Sequence, residues 1–379
     1  MSEYQYYEFQ AFDRPLTEEE QQAVARLSSR VDPHPRRAVF TYSFGGGLRR
    51  SAEDLLAEYY DAMLYLANWG SRQLVFRFPK SLVDLEQMQQ YNVVTVDYPS
   101  EAVNVYTKGG YAILDIQLHE EEGLGWIEGE GWLDSLVGLR DAILRQDYRL
   151  LYLAWLKGVA LAYDVEKDAL EPPVPPGLGS LTAALDSFVE LFDVDADLLQ
   201  VAAERSAKPV QTASKDDLNQ AIAQLPPEEK DAFLLRLAQG EPHLSLALNR
   251  RLGALRGVPQ PDMAQRRTVS ELFVDAETLR ERKRKEQAAQ AEARRIRELE
   301  ALAKREAQTW EEVEALIQQS KAKAYDEAVQ LLLKLRDLAI YQGQEMVFQQ
   351  RLNRIYEQYS RRSALLRRLR DAGLCQSQT

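Results

Sequence analysis

The sequence predicts a mixed fold, in which an α+β or α/β N-terminal domain precedes an all-α region and a C-terminal helical hairpin or short coiled coil. Three observations predict it. Strand-like and helix-like segments alternate in β-α-β-α-β order up to Phe78. No strand-like segment follows the proline-rich stretch at 171–177. Beyond position 296, apolar residues recur at the three- and four-residue spacing of a coiled-coil seam.

The predicted β-α-β-α-β order of the N-terminal domain depends on residue types that favour strands and on residues that start helices. Aromatic and β-branched residues favour strands at 4–12, 38–44, 73–78, 93–97 and 111–118. Thr17 and Glu20 have the spacing of a capping box, which predicts a helix that runs to about position 30. Ser51 is expected to begin a second helix that continues to Trp69, because apolar residues recur there at helical spacing, Met63 among them.

Proline clusters divide the chain. The segment 171–177 favours an extended connector without internal hydrogen bonds, and 258–261 is a weaker boundary. Short helices are expected between them at 181–191, 197–207, 214–224, 227–238 and 243–255. The predicted organisation is an α/β domain at 1–165, a connector at 166–177, a small helical domain at 178–257, a charged linker or helix at 258–295 and antiparallel helices at 296–379.

Composition and charge restrict the class of protein. A net charge of −12 over 379 residues disfavours non-specific binding of nucleic acid or anionic lipid by the chain as a whole. Cys375 is the only cysteine, so no intramolecular disulfide can form and a reducing compartment is indicated. The N-terminus lacks the pattern of a secretory signal, and no apolar stretch is long enough to span a bilayer. We therefore expect a cytoplasmic protein without membrane contact.

Two features of the C-terminal helices are candidates for binding. The seam predicts contact with a protein partner or a second copy of the chain through Ile296, Leu299, Trp310, Val313 and Ile317. The final helix is rich in arginine, and its candidate residues are Arg361, Arg362, Arg367 and Arg368. These arginines suit contacts with acidic protein surfaces, and as an alternative they suit nucleic-acid phosphates.

A glycine-rich loop at Gly45–Gly47 lies between a predicted strand and a predicted helix, where phosphate-binding loops occur. The lysine and the serine or threonine of a phosphate-binding motif do not follow it, which favours a plain turn. An anion bound there would use Arg49 and Arg50.

Other patterns are weaker. The run Asp193-Val-Asp-Ala-Asp197 alternates like a calcium loop, but Leu198 stands where that loop needs glycine, so an acidic helix start is favoured. Carboxylates around Trp126 and Trp132 resemble a glycoside-hydrolysing cleft in composition and an exposed acidic loop more closely. The histidines, His34, His119 and His243, lack metal-site spacing. We therefore predict no catalytic residue, no cofactor and no metal site.

Three stretches, YQYYEFQAFDRPLTEEE, AMLYLANWGSRQLVFRFP and PPVPPGL, resemble a group of bacterial proteins to which no activity is assigned. The C-terminal stretches TWEEVEALI, YDEAVQLLLKLRDLA and RRSALLRRLRDAGL are similar to the helical tails of bacterial SWIM zinc-finger proteins. The cysteines and histidine of the finger itself are missing here, so the resemblance implies only a shared assembly or binding role for the tail.

Together these patterns predict a non-catalytic scaffold or adaptor that binds a protein partner, or self-assembles, through its C-terminal helices. The first alternative is a nucleic-acid-associated accessory protein that uses the arginine-rich final helix. The second alternative is an enzyme of unknown class.

Overall fold

The computed structural model describes residues 4–43, 47–94, 102–120, 128–162, 168–209, 214–241, 243–255 and 266–375. The chain divides into two compact units, Met1–Arg280 (unit 1) and Glu281–Thr379 (unit 2). Unit 1 contains strands and helices, and the described part of unit 2 contains helices only. The predicted mixed class of α and β structure is confirmed.

Unit 1 is built on one antiparallel sheet. Its strands are β1 Tyr4–Gln10, β2 Val31–His34, β3 Arg37–Ser43, β4 Ala62–Ala67, β5 Ser71–Pro79, β6 Val93–Val94, β7 Ala102–Lys108 and β8 Tyr111–His119. The order across the sheet is β2-β3-β1-β4-β5-β8-β7-β6. Gly109 and Gly110 alone join β7 to β8, and Gly109 has the positive φ of 62° that such tight hairpin turns require.

The helices of unit 1 flank this sheet or follow it in sequence. They are α1 Glu18–Ala25, α2 Ala52–Tyr59, α3 Leu85–Gln89, α4 Trp132–Leu136, α5 Gly138–Leu144, α6 Arg149–Leu161, α7 Ala183–Phe192, α8 Ala196–Arg205, α9 Lys215–Gln224, α10 Pro227–Ala238, α11 Leu244–Leu255 and the first part of α12 Val269–Ala303. The predicted capping box of Thr17 and Glu20 is confirmed at the start of α1. The five short helices expected after the connector are confirmed as α7 to α11.

Each face of the sheet carries its own apolar core, because successive side chains of a strand point to opposite faces. On one face Phe76 packs with Leu153 of α6 and Phe188 of α7, all three without exposed surface. On the other face Phe9 packs with Leu55 of α2. Burial of each such side chain contributes about 1.5–3 kcal/mol, so both layers stabilise unit 1.

The prediction that the second helix continues to Trp69 is wrong beyond position 59. Helix α2 ends at Tyr59, and the following residues form β4, in which Met63 and Leu64 are both fully buried on opposite faces of the sheet. A strand buried on both faces reads as a continuous apolar run, which periodicity cannot distinguish from a helix. With β2 also present, the order at the start of the chain is β-α-β-β-α-β-β, and the predicted β-α-β-α-β order is not confirmed.

The proline-rich segment 171–177 is part of the body of unit 1. Pro172, Pro173 and Pro175 are buried, and the Tyr91 hydroxyl donates a hydrogen bond to the Pro173 carbonyl at 2.8 Å. Helices α7 and α8 then join the larger core of the sheet, whereas α9 and α11 form a small core of their own. The prolines therefore fix the path of the chain across unit 1 and do not act as a solvated spacer.

A buried ion cluster fastens the start of β4. Asp61 is 1% exposed and accepts hydrogen bonds from Arg77 at 2.7 Å and from the backbone N–H groups of Phe12 and Asp13. Arg140 lies 3.9 Å from the same carboxylate. Burial alone would raise the pKa of Asp61, but the Arg77 hydrogen bond, the backbone donors and the charge of Arg140 outweigh it and hold that pKa below its ordinary value.

Unit 2 comprises the rest of α12 followed by α13 Glu306–Gln318, α14 Ala322–Gln342, α15 Glu345–Gln358 and α16 Ser363–Asp371. Helix α14 is central, because α13, α15 and α16 each pack against it. Leu332 and Leu335 of α14 form the middle of this core with Leu352 of α15 and Leu365 of α16. Among the described residues, no helix combines the length and the apolar character that a membrane crossing requires.

Candidate protein-binding surface

A groove on unit 2 is formed where α13, α14 and α15 meet. Gly343 ends α14 with a φ of +65°, a conformation that glycine adopts without strain. Gln344 is the N-cap of α15, which begins at Glu345, so Gly343 and Gln344 alone connect the two helices. Such a short connection holds the end of α14 beside the start of α15. The groove is lined by Glu306, Trp310, Leu335, Leu338, Ala339, Gln342, Gln344, Val347, Phe348 and Arg351.

Trp310 forms one wall of the groove. Its ring lies 5.8 Å from that of Phe348, and its indole N–H donates a hydrogen bond to Glu306 at 3.2 Å. The Arg351 guanidinium lies 5.2 Å from the Trp310 ring centroid and 3.7 Å from the Glu306 carboxylate. The indole is therefore held in one orientation by a hydrogen bond on its edge and a cation on its face.

Large apolar side chains around the turn at Gly343 are exposed to solvent. On α14, Ile340 is 49% exposed and Tyr341 is 47% exposed. On α15, Met346 is 79% exposed and Val347 is 47% exposed. Single exposed apolar residues are ordinary, but here four of them flank one helix–helix turn, a concentration that favours an interaction site.

The size of the groove favours a macromolecular ligand. The space in it that a water-sized sphere can enter is about 10 Å³, about that of one water molecule and far below the roughly 300–1,000 Å³ of most small-molecule sites. Its floor is aliphatic, Glu306 and Arg351 form an ion pair at 3.7 Å, and Gln342 and Gln344 also line it. A depression this shallow suits contact with the outer surface of a protein partner and does not suit the insertion of a side chain.

The structure distributes the predicted seam residues over different environments. Val313 and Ile317 have no exposed surface and form the core of unit 2 with α14, so they belong to that core and not to a partner surface. Leu299 packs with Leu302 and Leu338, and Ile296 is half-buried. The seam is also interrupted, because α12 ends at Ala303 and α13 begins at Glu306. Of the predicted set, Trp310 alone lines the groove.

The four candidate arginines divide into two pairs. Arg362 donates a hydrogen bond to the carbonyl of Ile317, and Arg368 binds the Asp326 carboxylate at 2.6 Å, so both hold α16 against its own unit. Arg361 and Arg367 are exposed. Half of the predicted basic surface is therefore used inside unit 2, which weakens the alternative of a nucleic-acid-binding helix.

The glycine-loop prediction falls partly outside the described residues, since Gly45 and Gly46 are not among them. Gly47 and Arg49 are described, and Arg49 is exposed. Arg50 forms an ion pair with Glu58 of α2 and lies 5.9 Å from the Tyr59 ring. Glu58 of the following helix therefore neutralises the charge of Arg50.

The acidic run at 193–197 begins a helix. Asp195 is the N-cap of α8 and accepts hydrogen bonds from the backbone N–H groups of Asp197 and Leu198 at 2.8 and 2.9 Å. Arg280 forms ion pairs with the side-chain carboxylates of Asp195 and Asp197. The favoured interpretation, that this run is the acidic start of a helix, is confirmed. In the described part of the chain, no three metal-ligating side chains lie close enough together to hold a metal ion.

The histidines lie apart. His34 is near Asp32 at 3.4 Å, and His119 is 3.0 Å from the Ser71 hydroxyl. His243 is 3.7 Å from Asp13. Trp126 lies outside the described residues, whereas Trp132 is half-buried at the start of α4.

The exposed patch was missed by sequence reasoning. Ile340, Tyr341, Met346 and Val347 flank a Gly-Gln turn, where polar residues are the usual choice for a solvated helix connection. That departure from polarity was the available signal.

Comparison of the chain with protein-family models, with curated proteins and with solved structures finds no match in any of the three. The function is therefore inferred from the residues and their geometry.

Proposed function

We propose that the protein is a non-catalytic adaptor that binds a protein partner through the groove and the apolar patch of unit 2. The observation that carries this proposal is Val347, 47% exposed on a groove walled by Trp310, with Ile340, Tyr341 and Met346 also exposed close to the same turn. Exposed apolar area in a folded unit is a source of binding free energy, because a partner removes it from water.

The groove has the composition of a binding hot spot. Hot spots are enriched in tryptophan, tyrosine and arginine, and they lie where a pocket can be fully desolvated. Trp310 and Arg351 supply two of those residue types in the lining of the groove. The ion pair of Glu306 with Arg351 at the rim adds little affinity and restricts which partner can approach.

The partner chemistry follows from the shape of this surface. Leu335, Leu338 and Ala339 form the buried floor of the groove, so a partner would contact its rim, where Trp310 and Val347 lie. The exposed Met346 is unbranched and adaptable, which suits contact with the apolar face of an amphipathic helix. We therefore expect the partner to lay the apolar face of a helix across this surface.

Site-specific photo-crosslinking in cells tests this function. A photoreactive phenylalanine analogue at Val347 is expected to capture a protein, because Val347 is half-exposed on the groove. The same analogue at Gln330, an exposed position of α14 outside the groove, is the matched control. Capture must also disappear when Trp310→Ala is added. A product that forms equally from both positions, or none from Val347, contradicts the proposal.

A further inference from the structure

We draw no further inference here: the strongest candidate, the group of exposed leucines on helix α10 of unit 1 (Leu234, Leu235 and Leu237), carries nothing because nothing in the structure shows what covers it.

Discussion

Replacement of Asp61 with alanine is expected to lower the free energy of unfolding of unit 1 by about 3–5 kcal/mol. The carboxylate is the shared partner of Arg77 and Arg140, whose side chains are 9% and 3% exposed. Without it, two guanidinium groups stay buried near each other, and the N–H groups of Phe12 and Asp13 lose their acceptor. Chemical denaturation of the full chain measures the loss.

The pH dependence of that loss has a definite sign. Because the pKa of Asp61 is held below its ordinary value in the folded protein, its contribution is present above the unfolded pKa and lost as the pH falls through the folded pKa. The difference between native chain and variant should therefore shrink in acid. Asp54→Ala, which removes the exposed ion pair with Lys108, should change stability little. An Asp61 variant as stable as the Asp54 variant would refute this account of the cluster.

Replacement of Asp115 with asparagine is expected to have the opposite effect. Asp115 on β8 is 8% exposed, and Gln73 donates a hydrogen bond to it at 2.9 Å. Burial raises the pKa of Asp115 to about 6, against the lowering effect of Gln73 and with a further increase from Glu53. Relative to an unfolded value of about 3.9, the charged form weakens the fold by about 2–3 kcal/mol at neutral pH. Asparagine keeps the acceptor oxygen without the charge.

The same substitution provides its own pH test. A carboxyl group whose folded pKa is raised favours the fold below its unfolded pKa and loses that contribution as the pH rises through the folded pKa. The stabilisation by Asp115→Asn should therefore be near zero at about pH 4 and complete at about pH 8. Asp32→Asn, at a side chain 79% exposed, is the control and should be neutral at both. A loss of stability in Asp115→Asn, or a gain in stability that does not change with pH, would contradict a raised pKa for Asp115.

Local signals in the sequence were sufficient for most of the fold. The cap at Thr17, the proline start of α10 and the glycine stop at Gly343 each fix a helix end through contacts within a few residues. The failure at 60–69 has a different origin, since β4 is defined by pairing with β1 and β5 on both sides. Such long-range pairing overrides helical spacing and leaves no local signal.

The candidate site was predictable only in part. The sequence indicated that the C-terminal helices are amphipathic, and Trp310 of the predicted seam lines the groove. It could not show that Val313 and Ile317 meet α14 of the same unit, because an apolar stripe looks alike whether its neighbour is the same chain or another. The exposure of Met346 and Val347 follows from how α14 and α15 pack, which leaves both side chains in contact with solvent. Sequence patterns do not contain this information.

The most direct test of the central claim is the affinity of the full chain for the protein captured at Val347, measured by calorimetry with variants of the groove. Trp310→Ala is expected to weaken binding by about 10- to 30-fold, the effect of losing a buried aromatic anchor, and Val347→Asp should weaken it further. Gln330→Asp should leave the affinity unchanged. Equal affinities for the native chain and the Trp310 and Val347 variants would contradict the claim that this groove holds the partner.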